Sequence, residues 1–121
     1  DAIINFEVRP AEANREVRLF SGGNQQKVVI SKWMATNPKI VLMDEPTVGV
    51  DIGTKVEIMK LVRSIAAEGK SVILVSSELP ELLGVCDRIL VIRKGEIAEE
   101  LDRREIRDED HLQMIVQGMR I

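Results

Sequence analysis

Apolar positions along this chain change their period several times, and each change marks an element. From about Asn24 to Ala35, Ile30, Trp33 and Met34 recur at helical spacing, and Asn37-Pro38 stops the run. "KIVLMDEP" follows, a short apolar run closed by acids and proline, and it reads as a buried strand. Ile58, Leu61, Val62 and Ile65 mark one face of an amphipathic helix that Gly69 ends. "SVILVSS" reads as a second buried strand, so Lys39 to Ser76 predicts a strand–helix–strand unit with a parallel pair. "ELPELLG" predicts a short helix, and "RILVIRKGEIAEEL" a hairpin turning at Lys94-Gly95. Leu112, Ile115, Val116 and Met119 line one face of a closing helix. Asp1 to Arg18 has no clean period, and Pro10 interrupts it, so extended or irregular backbone is expected there.

The resulting class is α/β: a parallel strand pair with helices, then a C-terminal hairpin and helix. With 121 residues the chain makes at most one domain with a modest core. Its net charge is −3 with both signs interspersed, which argues against a nucleic-acid surface. The single cysteine, Cys86, excludes an internal disulfide and fits a reducing compartment. No apolar run reaches membrane-spanning length and the N-terminus does not read as a signal peptide. The expectation is a soluble, cytosolic chain that touches a membrane only through a partner.

Two stretches carry candidate chemistry. In "LFSGGNQQKVVISKW" a serine and two glycines precede the first predicted helix. Ser21 can cap that helix, and Gln25 or Gln26 can reach back to the cap. Glycines in front of open helical N–H groups also favour an anion, usually a phosphate. In "IVLMDEPTVGVD", Asp44 and Glu45 lie at the carboxyl end of a strand, where open α/β sheets gather ligands. Two adjacent carboxylates need a cation or a donor there, and Mg2+ suits hard oxygen ligands. Neighbouring strand residues point to opposite faces, so one site can use both only where the backbone turns. The competing reading makes Asp44 a cap and Glu45 a solvated edge charge.

Taken in order, "SGGNQQK", "IVLMDEP", "VGVD" and "ILVSSE" resemble the ATP-binding cassette ATPases, over about Arg18 to Ile97. More narrowly, the chain is similar to the second cassette of bacterial monosaccharide importers of the ribose, galactose or xylose type. The resemblance implies a P-loop NTPase fold, of which residues 1–121 form part of one ATPase domain. Ser21, Gly22, Gly23 and Asn24 match the signature loop, with Phe20 where leucine is usual and Asn24 where glutamine is usual; Gln25 follows within the same motif. Asp44 matches the Walker B aspartate, which holds Mg2+, and Glu45 the glutamate that polarises the attacking water. Asp51 matches the aspartate of the next loop, which contacts the opposite cassette. ATP is the implied nucleotide, sandwiched between the P-loop of one cassette and the signature loop of the other. Implied partners are a second cassette, transmembrane permease subunits and a periplasmic or extracellular sugar-binding protein. The implied location is the cytoplasmic face of the bacterial membrane.

Departures from the family pattern shape the expectation. No glycine-rich run ending in lysine and a hydroxyl residue occurs in these residues, and the segment carrying the loop glutamine that couples to permeases is absent too. The chain therefore reads as a piece of a longer cassette, inactive toward ATP when alone. Ser77 stands where most cassettes place the γ-phosphate histidine, and the lone His111 lies in the tail. Serine donates a hydrogen bond but does not titrate near neutral pH. Second cassettes of sugar importers often carry this change, which leaves open a non-catalytic scaffold that completes its neighbour's site. A DNA-repair cassette shares the motifs, but its coiled coil would precede the signature, and Asp1 to Phe20 has no heptads. Of the rest, Cys86 reads as a small buried residue, Trp33 as core packing, and "EELDRREIRDEDH" with His111 as solvated surface.

Overall fold

The computed structural model describes residues 22–119, with side chains from residue 25 onward. Ser21, Phe20 and the irregular segment expected over Asp1 to Arg18 lie outside the described residues, as does the side chain of Asn24. The chain divides into two units, Asp1–Val75 and Ser76–Ile121.

In the first unit, helix α1 (Gly22–Met34) leads to strand β1 (Ile40–Asp44), helix α2 (Ile52–Ala67) and strand β2 (Ser71–Val75). The two strands pair in parallel, Ile40 opposite Ser71 through Asp44 opposite Val75. This is the expected strand–helix–strand unit. Helix α2 begins where the Asp51 carboxylate accepts the Thr54 N–H at 2.8 Å, and it ends before Gly69, whose φ of +94° suits a residue without Cβ. Ile58, Met59, Val62 and Ile65 are its buried stripe. Full burial of one such aliphatic side chain contributes about 1.5–3 kcal/mol, so this stripe holds α2 in place.

Both strands were expected to be buried on both faces, and the structure differs. Val41 and Met43 are buried, and in register with them Val72 and Leu74 are half-buried. The opposite face carries Ile40, Leu42, Ile73 and Val75, with Leu42 69% exposed. A sheet buries only the faces that are covered, and among the described residues the helices of this unit cover one. Trp33 is also exposed, at 62%, rather than packed in the core. Its helical spacing is right, but the buried face of α1 runs through Lys27, Ile30 and Ser31. Helix α1 itself starts at Gly22, two residues before the expected Asn24, so both glycines belong to its first turn instead of a loop in front of it.

The second unit holds helix α3 (Leu79–Val85), strands β3 (Arg88–Arg93) and β4 (Glu96–Asp102), a 3-10 turn (Arg103–Glu105) and helix α4 (Glu109–Val116). The hairpin pairs Arg93 with Glu96 across Lys94-Gly95, both at positive φ, as a two-residue turn of this twist requires. Ile89, Ile106 and Leu112 form its core, with Leu79, Leu82, Leu83, Cys86 and Leu101 packed around them. Cys86 is half-buried against that core. The charged run before α4 is not merely solvated. Ile106 is 3% exposed, Arg103 donates to the carbonyls of Leu83 (2.8 Å) and Ile106 (2.9 Å), and Asp102 with Glu105 forms a capping box. His111 is half-buried, and its Nδ1 accepts the Arg107 N–H at 3.0 Å. Charge content marks surface on average, yet the stems and donors of such residues also cross-link short elements.

Candidate functional site

The first turn of α1 supplies backbone N–H groups at Gly22, Gly23 and Asn24. The first four N–H groups of any α-helix have no intrahelical acceptor, so this end suits an anion. Gln25 is half-buried just behind it. Ser21 lies outside the described residues.

Asp44 is the last residue of β1 and is exposed. Glu45 follows at φ +48°, in the left-handed region that non-glycine residues seldom enter. Its N–H donates to the Val75 carbonyl at 2.8 Å, so the ladder continues one bond past the strand while the chain turns away. Such a conformation costs on the order of 1–3 kcal/mol and persists only where neighbours over-determine it. Here the buried Pro46 and Thr47 and the turn bond from Val48 N–H to Glu45 carbonyl fix it. The alternation that would send Asp44 and Glu45 to opposite faces is therefore broken between them.

Asp51 sits at the end of this loop as the N-cap of α2. The hydrogen bond from the Thr54 N–H holds its carboxyl below the usual carboxylate value, because the bond favours the charged form. A groove of about 190 Å³ between α1 and β1 has Gln26, Trp33, Leu42 and Asp44 on its walls. The helix that starts with the glycines and the strand that ends at Asp44 thus meet along one side. A second hollow of about 240 Å³, at Asn37, Ser64 and Lys70, contains no motif residue. In the other unit, Ser77 is exposed beside Ser76, whose Oγ accepts the Glu78 N–H at 3.0 Å and donates to Glu81 at 3.1 Å.

Among the described residues no three His, Cys, Asp or Glu side chains gather as a metal cage. Magnesium usually takes one or two carboxylates and completes its shell with phosphate oxygens and water. One exposed carboxylate at a strand end fits that mode. Sequence reasoning missed Lys27, which is 1% exposed and ion-paired with Glu57 of α2. Its position one turn before Ile30 and Ser31 on the buried face was the available signal.

Comparison with known proteins identifies the family. The family model described as ABC transporter matches residues 2–48. A ribose import ATP-binding protein, RbsA, of Jannaschia sp. (strain CCS1) is 52% identical over 104 residues, covering 86% of this chain and 20% of the relative. The chain belongs to the ATP-binding cassette family. The RbsA protein of Rhodococcus jostii (strain RHA1) is 47% identical over 93% of the chain and 22% of its own length. Among solved structures, the ADP conformation of an ATP-binding cassette of an ABC transporter superposes with a TM-score of 0.76. It is 26% identical and covers 96% of this chain and 43% of that one. A dimeric post-hydrolysis cassette bound to ADP and Pi is 32% identical, with a TM-score of 0.73 over 85% of this chain and 44% of that one. The α/β cassette fold is therefore the right class. The chain spans about a fifth of the length of the curated relatives it matches.

Proposed function

We propose that this chain is the signature, Walker B and switch portion of one ATPase domain, in a subunit that hydrolyses ATP to drive sugar import. The carrying observation is the motif order on one unit: a helix opening on Gly22-Gly23, then a strand ending at Asp44 with Glu45 turned to φ +48°. The relatives' names, ribose import ATP-binding protein, support a sugar cargo of the ribose class.

In this reading the two halves of the unit serve different nucleotides. Ser21, Gly22, Gly23 and Asn24, with Gln25 behind them, present donors to the γ-phosphate of ATP held by an opposing cassette. Asp44 would hold Mg2+ for ATP in this cassette's own site, where the ion would offset phosphate charge. Glu45 accepts a proton from the attacking water and aligns it. Asp51 keeps α2 started in register and faces the opposing cassette. The dimeric relative bound to ADP and Pi supports the paired arrangement. Further partners are permease subunits and an external sugar-binding protein, with the chain peripheral on the cytoplasmic face. No described helix is long and apolar enough to cross a membrane.

Ser77 favours a second reading, in which this cassette chiefly completes its neighbour's site. An exposed serine at that position offers a hydrogen bond and no group that titrates near neutral pH. The test of function is sugar uptake and ATPase activity of the intact transporter in proteoliposomes. Both should require Mg2+ and fall sharply in Ser21→Arg. Full uptake by that variant would overturn the proposal.

A further inference from the structure

Lys27 lies five residues after Gly22, on the buried face of α1, with 1% of its side chain exposed. Its ammonium pairs with the Glu57 carboxylate on α2, which is 28% exposed. Burying an ammonium carries a desolvation cost that a well-packed apolar residue would avoid. An apolar side chain would also fit the stripe of Ile30, so hydrophobic burial does not explain a lysine there. What an ion pair adds is direction: two charged ends must meet, and any slide of one helix along the other parts them.

The two helices so joined begin at the two segments that matter. Helix α1 starts at Gly22, and α2 starts at its cap Asp51, six residues before Glu57. We propose that Lys27 and Glu57 are a positioning pair that sets the start of α1 against the start of α2. The signature loop and Asp51 then reach the opposing cassette together. This rests on the reading of α1 as the signature helix. Neither residue touches nucleotide; both act through the groups they hold in place. Misplacement by about 1 Å can cost on the order of a hundredfold in rate, so the pair matters most when the cassettes close.

The experiment uses the intact reconstituted transporter, with Lys27→Met, Lys27→Arg, Glu57→Gln and Ser21→Arg compared for ATP turnover and thermal midpoint. The expected result is a kcat loss of about tenfold or more in Lys27→Met and Glu57→Gln, with KM for ATP within about threefold of the parent. Lys27→Arg keeps the charge and should recover most of the turnover. Glu57→Gln decides the matter if Lys27→Met does not fold, since its side chain is partly exposed. A kcat per folded molecule equal to the parent's in Glu57→Gln overturns the positioning role. So does a loss that only tracks the amount of folded protein. Ser21→Arg separates the two claims: if it is active, the signature reading itself fails, whereas an inactive Ser21→Arg beside a normal Glu57→Gln sinks only the pair.

Discussion

The N–H of Glu45 donates to the carbonyl of Val75 at 2.8 Å, one residue beyond the last paired position of β1. That bond pins the residue proposed to activate water to the end of the neighbouring strand. Immediately after Val75 come Ser76 and Ser77, and Ser77 is proposed to stand at the family's histidine position. Glu45→Gln removes the proposed base and leaves the backbone bond in place. In the proposed reading Ser77 replaces the family's histidine and this cassette turns over ATP weakly itself, so the loss of turnover should be milder than in Ser21→Arg. Ser21→Arg should cost at least the hundredfold to thousandfold typical of a lost oxyanion donor. Steady-state ATPase activity of both variants in the intact transporter ranks them, and equal losses would reverse the assignment.

Asp51 links pH to folding through α2. Its carboxyl titrates below the usual value in the folded chain because the Thr54 N–H bonds the charged form. The unfolded chain therefore binds the proton first, so this group's stabilisation is present above the unfolded value of 3.8 and is lost as pH falls through the lower folded value. Urea unfolding of the whole subunit with and without Asp51→Ala, at about pH 6 and about pH 3, should show a difference that shrinks in acid. A difference independent of pH would contradict the cap.

The hairpin turn offers a purely conformational test. Gly95 has φ +76°, and a Cβ there would meet nothing within 4 Å. Gly95→Ala should therefore destabilise by about 1 kcal/mol through backbone strain alone, leaving turnover per folded molecule unchanged. Thermal unfolding checks it, and an unchanged midpoint would argue against the tight turn.

Order and type of elements were legible because periodicity and breakers agree: Gly69 ends α2, Lys94-Gly95 turns the hairpin, and Asp44-Glu45-Pro46 closes β1. The candidate residues stood out in the sequence as short fixed motifs. What escaped was the identity of covered faces. Leu42 and Trp33 have core-type residues and core-type spacing, yet coverage depends on neighbours that spacing does not encode. Lys27 escaped from the opposite side, since a charged residue is assigned to water until its partner on another helix is seen. The left-handed backbone of Glu45 had no sequence signal either, because glycine is the residue that usually announces it.

Burial separates two large side chains cleanly. Leu112 is fully buried in the second unit's core, and Trp33 is 62% exposed. Leu112→Ala should cost about 2–5 kcal/mol, and Trp33→Ala far less despite its larger side chain. Denaturant unfolding of the two variants of the whole subunit gives the ranking, and a costlier Trp33→Ala would mean that another surface covers it.

The central claim is that the start of α1 serves a nucleotide held by an opposing cassette. The direct measurement is disulfide formation between Ser21→Cys and a cysteine placed in the opposing cassette's phosphate-binding loop. Cys86 is replaced by serine to remove background, and glutamates that support hydrolysis are changed to glutamine to hold ATP. The expected result is a cross-link that forms rapidly with Mg-ATP and slowly without nucleotide. Equal cross-linking with and without ATP, or none under either condition in an assembled transporter, would contradict it.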